Sequence, residues 1–141
     1  MPELNAAAAR AMCDAAMSHA RGEGWSVSVA VLDAGGHVLE ISRMDGCNFL
    51  APDIARGKAY GAAAWKTASA DLSQRFGQIP SATPSMVAAS GQRVVLVQGA
   101  LPVWAGGHCV GAIGVSGVRS EQDEACARAG LEAAGFTSAA A

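Results

Sequence analysis

The sequence has little charge and no concentration of either sign. Only 16% of its 141 residues are charged, and the formal net charge is −2. It contains no run of lysines and arginines that could neutralise a phosphate backbone, so we expect no nucleic-acid partner. Apolar residues make up 51% of the chain. Part of the surface must then be apolar, which favours a homo-oligomer that buries this excess between subunits.

Long hydrophobic runs and paired cysteines are also missing. No apolar stretch reaches the roughly 18 residues that a membrane-spanning helix needs, and charged side chains interrupt the N-terminal 21 residues, unlike a signal peptide. We therefore expect a cytoplasmic protein of one domain, 1–141, with no membrane partner. The four cysteines form no C-x-x-C pair, so neither a zinc site nor a redox pair is expected.

The hydrophobic periodicity predicts an α+β domain with a mainly antiparallel sheet. Apolar residues recur at helical spacing in some segments and alternate or run continuously in others. The predicted helices are 3–21, a second from Ala51, a third from a Ser69 cap to Phe76, and a last one from a Ser120–Asp123 capping box to about Gly135. The predicted strands are 26–32, 38–43, 94–97, 101–104 and 108–116, with a loop over 77–91.

Two glycine-rich hairpins each lead directly into a histidine. Asp33–Gly36 precedes His37, and Ala105–Gly107 precedes His108; glycine and aspartate favour such turns. A histidine here could ligate a metal or haem iron, or act as a general acid or base. The alternative is an exposed residue at a strand start. We take both histidines, and Gly107 of the second turn, as site candidates.

Arg43 and Lys58 each interrupt an apolar row. Arg43 shares a predicted strand face with Leu39 and Ile41, where it needs a partner or a ligand. Lys58 lies on the apolar stripe of the second helix, where an unpaired ammonium is costly.

Two explanations fit Lys58. Its stem could lie along the core while its head reaches water. Alternatively, it could be a partly buried cation that pairs with Asp33 or Asp45, or that points at an anionic group of a ligand.

Several of these motifs, in this order, resemble the GlcG/HbpS family, which includes the C-terminal domain of PduO-type cobalamin adenosyltransferases. The resemblance rests on Val29–His37, Arg43–Gly46, Ile54–Ala59, Leu101-Pro102, Gly111–Gly117 and Asp123–Ala127. It implies a profilin-like domain in which a five-stranded antiparallel sheet is flanked by helices. It also implies homo-oligomers, and haem or corrinoid binding in some members.

Two functions from different classes follow. The first is a protein that binds a small molecule, haem or another tetrapyrrole, in an apolar pocket. In this function Arg43 and Lys58 meet the propionates, and His37 or His108 approaches the metal.

The second function is a small catabolic enzyme, an isomerase, tautomerase or lyase, that acts on an anionic carboxylic acid. Arg43 and Lys58 would then bind the carboxylate, while Asp33, Asp45 or His108 moves protons.

Overall fold

The fold is an α+β domain, as the periodicity predicts. A computed structural model of the chain describes residues 2–140. The elements in order are α1 (Ala6–Gly22), β1 (Ser28–Asp33), β2 (Val38–Arg43), α2 (Ala51–Trp65), α3 (Ser69–Gly77), α4 (Ala82–Ala89), β3 (Ala100–Ala105), β4 (His108–Ser116) and α5 (Ser120–Ala133). No helix in the described residues is both long enough and apolar enough to span a bilayer.

The strands form one antiparallel sheet in the order β2-β1-β4-β3. Alternation along β1 sends Val29 and Val31 to the face that α1 and α5 cover, and Ala30 to the face that α2 covers. On the α2 face the contacts are made by small residues. A Cβ at Gly114 would meet the backbone of α2, so glycine there lets the helix lie directly on the sheet.

Both predicted hairpins are confirmed. In the first, the Gly36 amide donates to the Asp33 carbonyl at 3.0 Å, and Gly36 has a φ of 82° that glycine adopts without strain. The second turns at Gly106 and Gly107, both with positive φ. Because β1 pairs antiparallel with β4, the two hairpins lie at the same end of the sheet.

The prediction of a strand over 94–97 is wrong, and the sheet in the described residues has four strands rather than five. The Val95 amide donates to the Gly57 carbonyl of α2 at 3.1 Å. Val94 and Leu96 are buried together with Leu72 of α3. A short apolar run can be buried against a helix as well as in a sheet, so its hydrophobic pattern alone does not distinguish a strand from an irregular segment.

The prediction of a loop over 77–91 is also wrong, because this segment contains α4. None of the residues of α4 is buried, so it carries no strong hydrophobic period that would mark a helix. Met86 and Val87 are partly buried against the cluster that includes Leu72. Pro84 lies in the first turn of the helix, where proline is tolerated.

A bulge in the pairing of β1 with β2 separates two residues that the sequence predicts on one face. The register shifts between Val31 and Leu32. As a result Leu39 packs on the α1 and α5 side, while Ile41 packs on the α2 side. Arg43 is exposed and does not continue an apolar row.

Two predicted helix caps are also displaced. Ser69 is the first residue of α3 rather than its cap. Its Oγ accepts from the Ala100 amide at 2.8 Å, which fastens α3 to the start of β3. The capping interaction of α5 begins one residue earlier than predicted, because Gln122 Oε1 accepts from the Arg119 amide at 3.2 Å. This leaves Asp123 free for another contact.

Candidate functional site

A cavity of about 410 Å³ opens between the first hairpin and α2. We call it the His37 cavity. Its lining residues are Gly35, Gly36, His37, Val38, Arg56, Tyr60 and Arg93. Among residues 2–140, the lining thus contributes an imidazole, a phenol and two guanidiniums, and no carboxylate.

The hairpin presents His37 through a network centred on Asp33. Asp33 Oδ1 accepts from the amides of Gly35 and His37, both at 2.9 Å, and lies 3.1 Å from His37 Nδ1. Partial burial acts to raise the pKa of Asp33, but the hydrogen bonds from the His37 and Gly35 amides and the His37 ring outweigh it. They hold the pKa of the Asp33 carboxyl below its usual value.

Arg56 and Tyr60 reach the cavity from α2. They are four residues apart, so their side chains lie on the same side of the helix. Gly36 packs against the Tyr60 ring, and a Cβ at Gly36 would lie 2.9 Å from Tyr60 Cε2. The hairpin can therefore rest on the tyrosine only because its second glycine has no side chain.

Arg93 reaches the cavity from the segment that follows α4. A Cβ at Gly57 would meet Val95 Cγ2 and would lie 3.0 Å from the Arg93 carbonyl oxygen. The glycine lets this segment pack directly on α2, one residue after Arg56. The consequence is a second guanidinium in the same cavity.

The sequence reasoning missed three of these residues. Arg56 and Tyr60 carried a usable signal, their i, i+4 spacing on a predicted helix. Arg93 carried none, because its place depends on how the segment 94–96 packs against α2.

Lys58 is buried, with 2% of its surface exposed. Its Nζ donates to Asp123 Oδ2 and to the Val115 carbonyl, each at 3.0 Å. The predicted pairing with Asp33 or Asp45 is therefore wrong, because the partner is on α5. Burial raises the pKa of the Asp123 carboxyl, while Lys58 and the amide of Val118 act against it.

The Lys58–Asp123 pair joins helices that cover opposite faces of the sheet. It lies where β3 begins and β4 ends, beside Gly99. A Cβ at Gly99 would lie 2.7 Å from Lys58 Nζ and 2.8 Å from the Val115 carbonyl oxygen. Because Gly99 has no side chain, there is room for the Lys58 ammonium to contact Asp123.

Arg43 and Asp45 line a separate cavity of about 390 Å³, together with Met17, Arg21 and Met44. His108 lines another, of about 410 Å³, beside Glu3 and Leu4 of the N-terminal segment. Gly107 lies in a neighbouring cavity of about 280 Å³.

The two histidines therefore occupy the same end of the sheet but different surfaces. His37 is grouped with side chains of α2, and His108 with the residues that precede α1. The predicted site residues are divided among three surfaces and one buried ion pair.

A larger cavity, about 570 Å³, runs along β3 and α5. Acidic and basic side chains both line it, among them Lys66, Asp71, Glu124 and Arg128, and no histidine does so in the described residues. The His37 cavity is smaller, but of the two it is the one that has an imidazole, and its charged lining residues are all cationic. It is the better candidate for a site that binds an anionic, metal-containing ligand.

Comparisons with known proteins agree with the resemblance seen in the motifs. The chain is 34% identical over 108 residues to Protein GlcG of Escherichia coli K12, covering 77% of each chain. A crystal structure of a PduOC:haem complex superposes with a TM-score of 0.86 at 27% identity, covering 96% of this chain and 97% of that one. A double mutant of Streptomyces reticuli HbpS gives a TM-score of 0.83 at 34% identity, covering 94% and 87%.

A family model described as "Haem degrading protein HbpS-like" matches residues 4–132. This match runs from before α1 to the last residue but one of α5, and it includes the His37 cavity and the buried Lys58–Asp123 pair. The chain belongs to the HbpS-like family.

Proposed function

We propose that this protein binds haem, or a related tetrapyrrole such as a corrinoid, in the His37 cavity. The observation that carries the proposal is the convergence of one imidazole and two guanidiniums there. Support comes from the family and from the relative whose structure is titled as a haem complex. Haem carries one metal ion and two carboxylates, which matches this set of side chains.

The donor chemistry fits the group. In residues 2–140 no three metal-ligating side chains come together, but haem iron needs only one or two ligands from a protein, and histidine is a common one. Guanidinium groups pair with carboxylates through charge-assisted, often bidentate hydrogen bonds. Arg56 and Arg93 would therefore hold the propionates, in place of Arg43 and Lys58. When bound, the haem iron supplies redox and oxygen chemistry.

The test is a haem titration of the purified protein, followed by absorbance. We expect a Soret shift that saturates at one haem per chain. His37→Ala should change the spectrum, because it removes the imidazole that would hold the iron. Arg56→Ala and Arg93→Ala should each weaken binding by about 10- to 100-fold, because a charged hydrogen bond contributes about 1.5–3 kcal/mol.

Matched controls come from the other two surfaces. His108→Ala and Arg43→Ala remove the same residue types from separate cavities, and we expect both variants to bind haem as the wild type does. No Soret shift in the wild type, or a loss confined to His108→Ala, would contradict the proposal.

A second candidate function is proton transfer on an anionic carboxylic acid. The observation that favours it is Tyr60, whose phenol lines the same cavity as His37 and the two arginines. The arginines would bind a carboxylate while phenol or imidazole moves a proton. Asp45 and His108 line other cavities, so they are not close to this group.

This second function is tested on haem-free protein. Small carboxylic acids in D₂O would be followed by NMR for exchange of the C–H beside the carboxylate. We expect any exchange to vanish in Arg56→Ala and to persist in Arg43→Ala. Exchange that survives Arg56→Ala would place the chemistry outside the His37 cavity.

We also propose that the protein is a homo-oligomer. Phe49 and Leu50, immediately before α2, are 83% and 54% exposed. Large apolar side chains of this exposure, in a chain with so little charge, are best accounted for by a contact with a second copy.

A further inference from the structure

We infer that Asp33 is a positioning residue: it holds the His37 ring with the proton on Nδ1, so that Nε2 is the atom offered to a ligand in the His37 cavity. The inference deepens the proposed function and rests on it for the ligand. It concerns, however, a property of the free protein that can be measured without one.

The contact between the two side chains determines where the ring proton lies. His37 Nδ1 is 3.1 Å from Asp33 Oδ1 and 3.2 Å from Asp33 Oδ2. An ionised carboxylate only accepts hydrogen bonds, so Nδ1 must be the donor. In the neutral imidazole the other nitrogen, Nε2, then carries the free lone pair that a metal ligand needs.

The ring is held by aspartate but remains open to solvent. The His37 side chain is 81% exposed, against 37% for Asp33, so protein does not cover the imidazole. The ring also lies over the hairpin backbone, where a Cβ at Gly35 would be 2.9 Å from His37 Cε1 and 3.0 Å from Nδ1. Glycine at this position leaves room for the ring to reach the carboxylate.

The turn itself does not require the charge of Asp33. Its two amide contacts, from Gly35 and His37, form an arrangement that asparagine also makes. What aspartate adds is an anionic acceptor for Nδ1. Metal-ligating histidines commonly donate their second nitrogen to a carboxylate in this way, which fixes the ring and raises its basicity as a ligand.

The experiment begins with nitrogen NMR of the ligand-free protein, at a pH well above the ordinary histidine pKa of about 6.5. We expect His37 to be protonated at Nδ1 and unprotonated at Nε2. Asp33→Asn keeps the amide acceptor of the turn but removes the charge, so the Nδ1-protonated fraction should fall. Asp14→Asn, which changes an exposed aspartate of α1, is the matched control.

Haem binding gives the second readout. Loss of an outer carboxylate of this kind typically weakens metal affinity by about 10- to 100-fold. We expect a loss of this size in Asp33→Asn, together with a rise in the haem midpoint potential, because the ring becomes a weaker electron donor. A turn-only role for Asp33 would leave both the tautomer and the potential unchanged.

Two results would overturn the inference: wild-type His37 protonated at Nε2, or a tautomer and haem affinity that do not change in Asp33→Asn. If Asp33→Asn fails to fold, the wild-type spectrum still decides. Gly35→Ala then provides a variant that displaces the ring and keeps the carboxylate, and it should also reduce the Nδ1-protonated fraction. The expected tautomer without haem binding would support the inference while refuting the proposed ligand.

Discussion

At the scale of single residues, Lys58 shows how a buried charge can be misinterpreted from sequence. The sequence left two explanations open, and the structure shows the buried, paired cation rather than a stem with its head in water. The partner, Asp123, is 65 residues away and on the other side of the sheet. No local pattern could identify it, because α2 and α5 meet only through the gap at Gly99.

Removing one member of this pair should destabilise the fold strongly. Lys58→Met leaves the Asp123 carboxylate buried without its cation, which typically costs about 3–5 kcal/mol. Urea denaturation measures the change. In the double variant Lys58→Met with Asp123→Leu, most of the loss should be recovered, because replacing a whole buried ion pair by apolar residues is often neutral. A Lys58→Met variant of wild-type stability that no longer binds haem would instead assign the lysine to the ligand.

Two buried thiols make the stability depend on pH in the alkaline range. Burial raises the pKa of Cys13 to about 12 and that of Cys126 to about 11. Above pH 9 the unfolded chain releases thiol protons that the folded chain still holds, so stability falls as pH rises. Each thiol should contribute a loss of at most about 1.4 kcal/mol per pH unit, reached between the unfolded and the folded pKa.

The measurement is urea denaturation between pH 9 and pH 11. A Cys13→Ala and Cys126→Ala double variant should show a smaller slope than the wild type, whatever its absolute stability. Gln74→Ala, which replaces an exposed residue without a titratable group, is the control and should keep the wild-type slope. Equal slopes in all three proteins would show that the two buried thiols do not ionise on unfolding.

At the scale of elements, α2 organises the candidate site. Consecutive residues of one turn serve different contacts: Arg56 lines the His37 cavity, Gly57 receives the segment that carries Arg93, and Lys58 reaches the buried pair. Tyr60 then supports the hairpin. The helix therefore fixes the relative positions of groups that come from three separate parts of the chain.

Gly57→Ala should disturb the site through this packing. The new methyl would meet Val95 and press on the Arg93 carbonyl, and overpacking of this kind costs about 1–3 kcal/mol. Alanine's better helix propensity would return up to about 1 kcal/mol. We expect a net loss of stability in urea and weaker haem binding, because Arg93 is displaced.

The control is Gly22→Ala in α1, where a Cβ would meet nothing within 4 Å. The same substitution there should leave haem binding unchanged and stability equal or higher. A Gly57→Ala variant with wild-type stability and haem affinity would contradict this prediction. It would show that the segment from Arg93 to Val95 can shift to admit the methyl group without loss of folding free energy.

The elements that the sequence predicted correctly are those whose signals lie within a few residues. The first hairpin and the bounds of β2 were correct, because glycine, aspartate and strand alternation act over a few residues. The segment 94–97 was assigned to a sheet although it packs on a helix, and α4 was missed because it buries nothing of its own. Of the candidate site, His37 could be predicted from its turn, whereas the position of Arg93 depends on tertiary packing alone.

At the scale of the whole molecule, the surface of this chain is incompletely covered by polar groups. Phe49 and Leu50 are neighbours in sequence, and both are exposed large apolar residues. They lie in the turn that leads directly into α2, where Leu50 is the N-cap residue. Such a position suits a contact between copies.

We expect the protein to elute above the mass of a monomer at micromolar concentration, and Phe49→Glu to lower that mass. The physical reason is that a charge at this position would have to be desolvated without a partner in the interface. Light scattering after size exclusion measures the mass. The control is Asp71→Asn, which changes the charge at another exposed position and should leave the mass unchanged. Phe76→Glu would not serve, because the Phe76 ring packs against Trp65.

The ion pair at Gly99 has a consequence for how the molecule opens. Proteins commonly exchange their amide protons by opening in separate cooperative units, and helices on opposite faces of a sheet are natural boundaries between such units. Here α2 and α5 are joined by the buried Lys58–Asp123 ion pair. If one helix opened by itself, the charge on the other would remain buried without its partner. Their slowest amides should therefore exchange with deuterium at a common rate, so that the two outer layers of this domain behave as one thermodynamic unit.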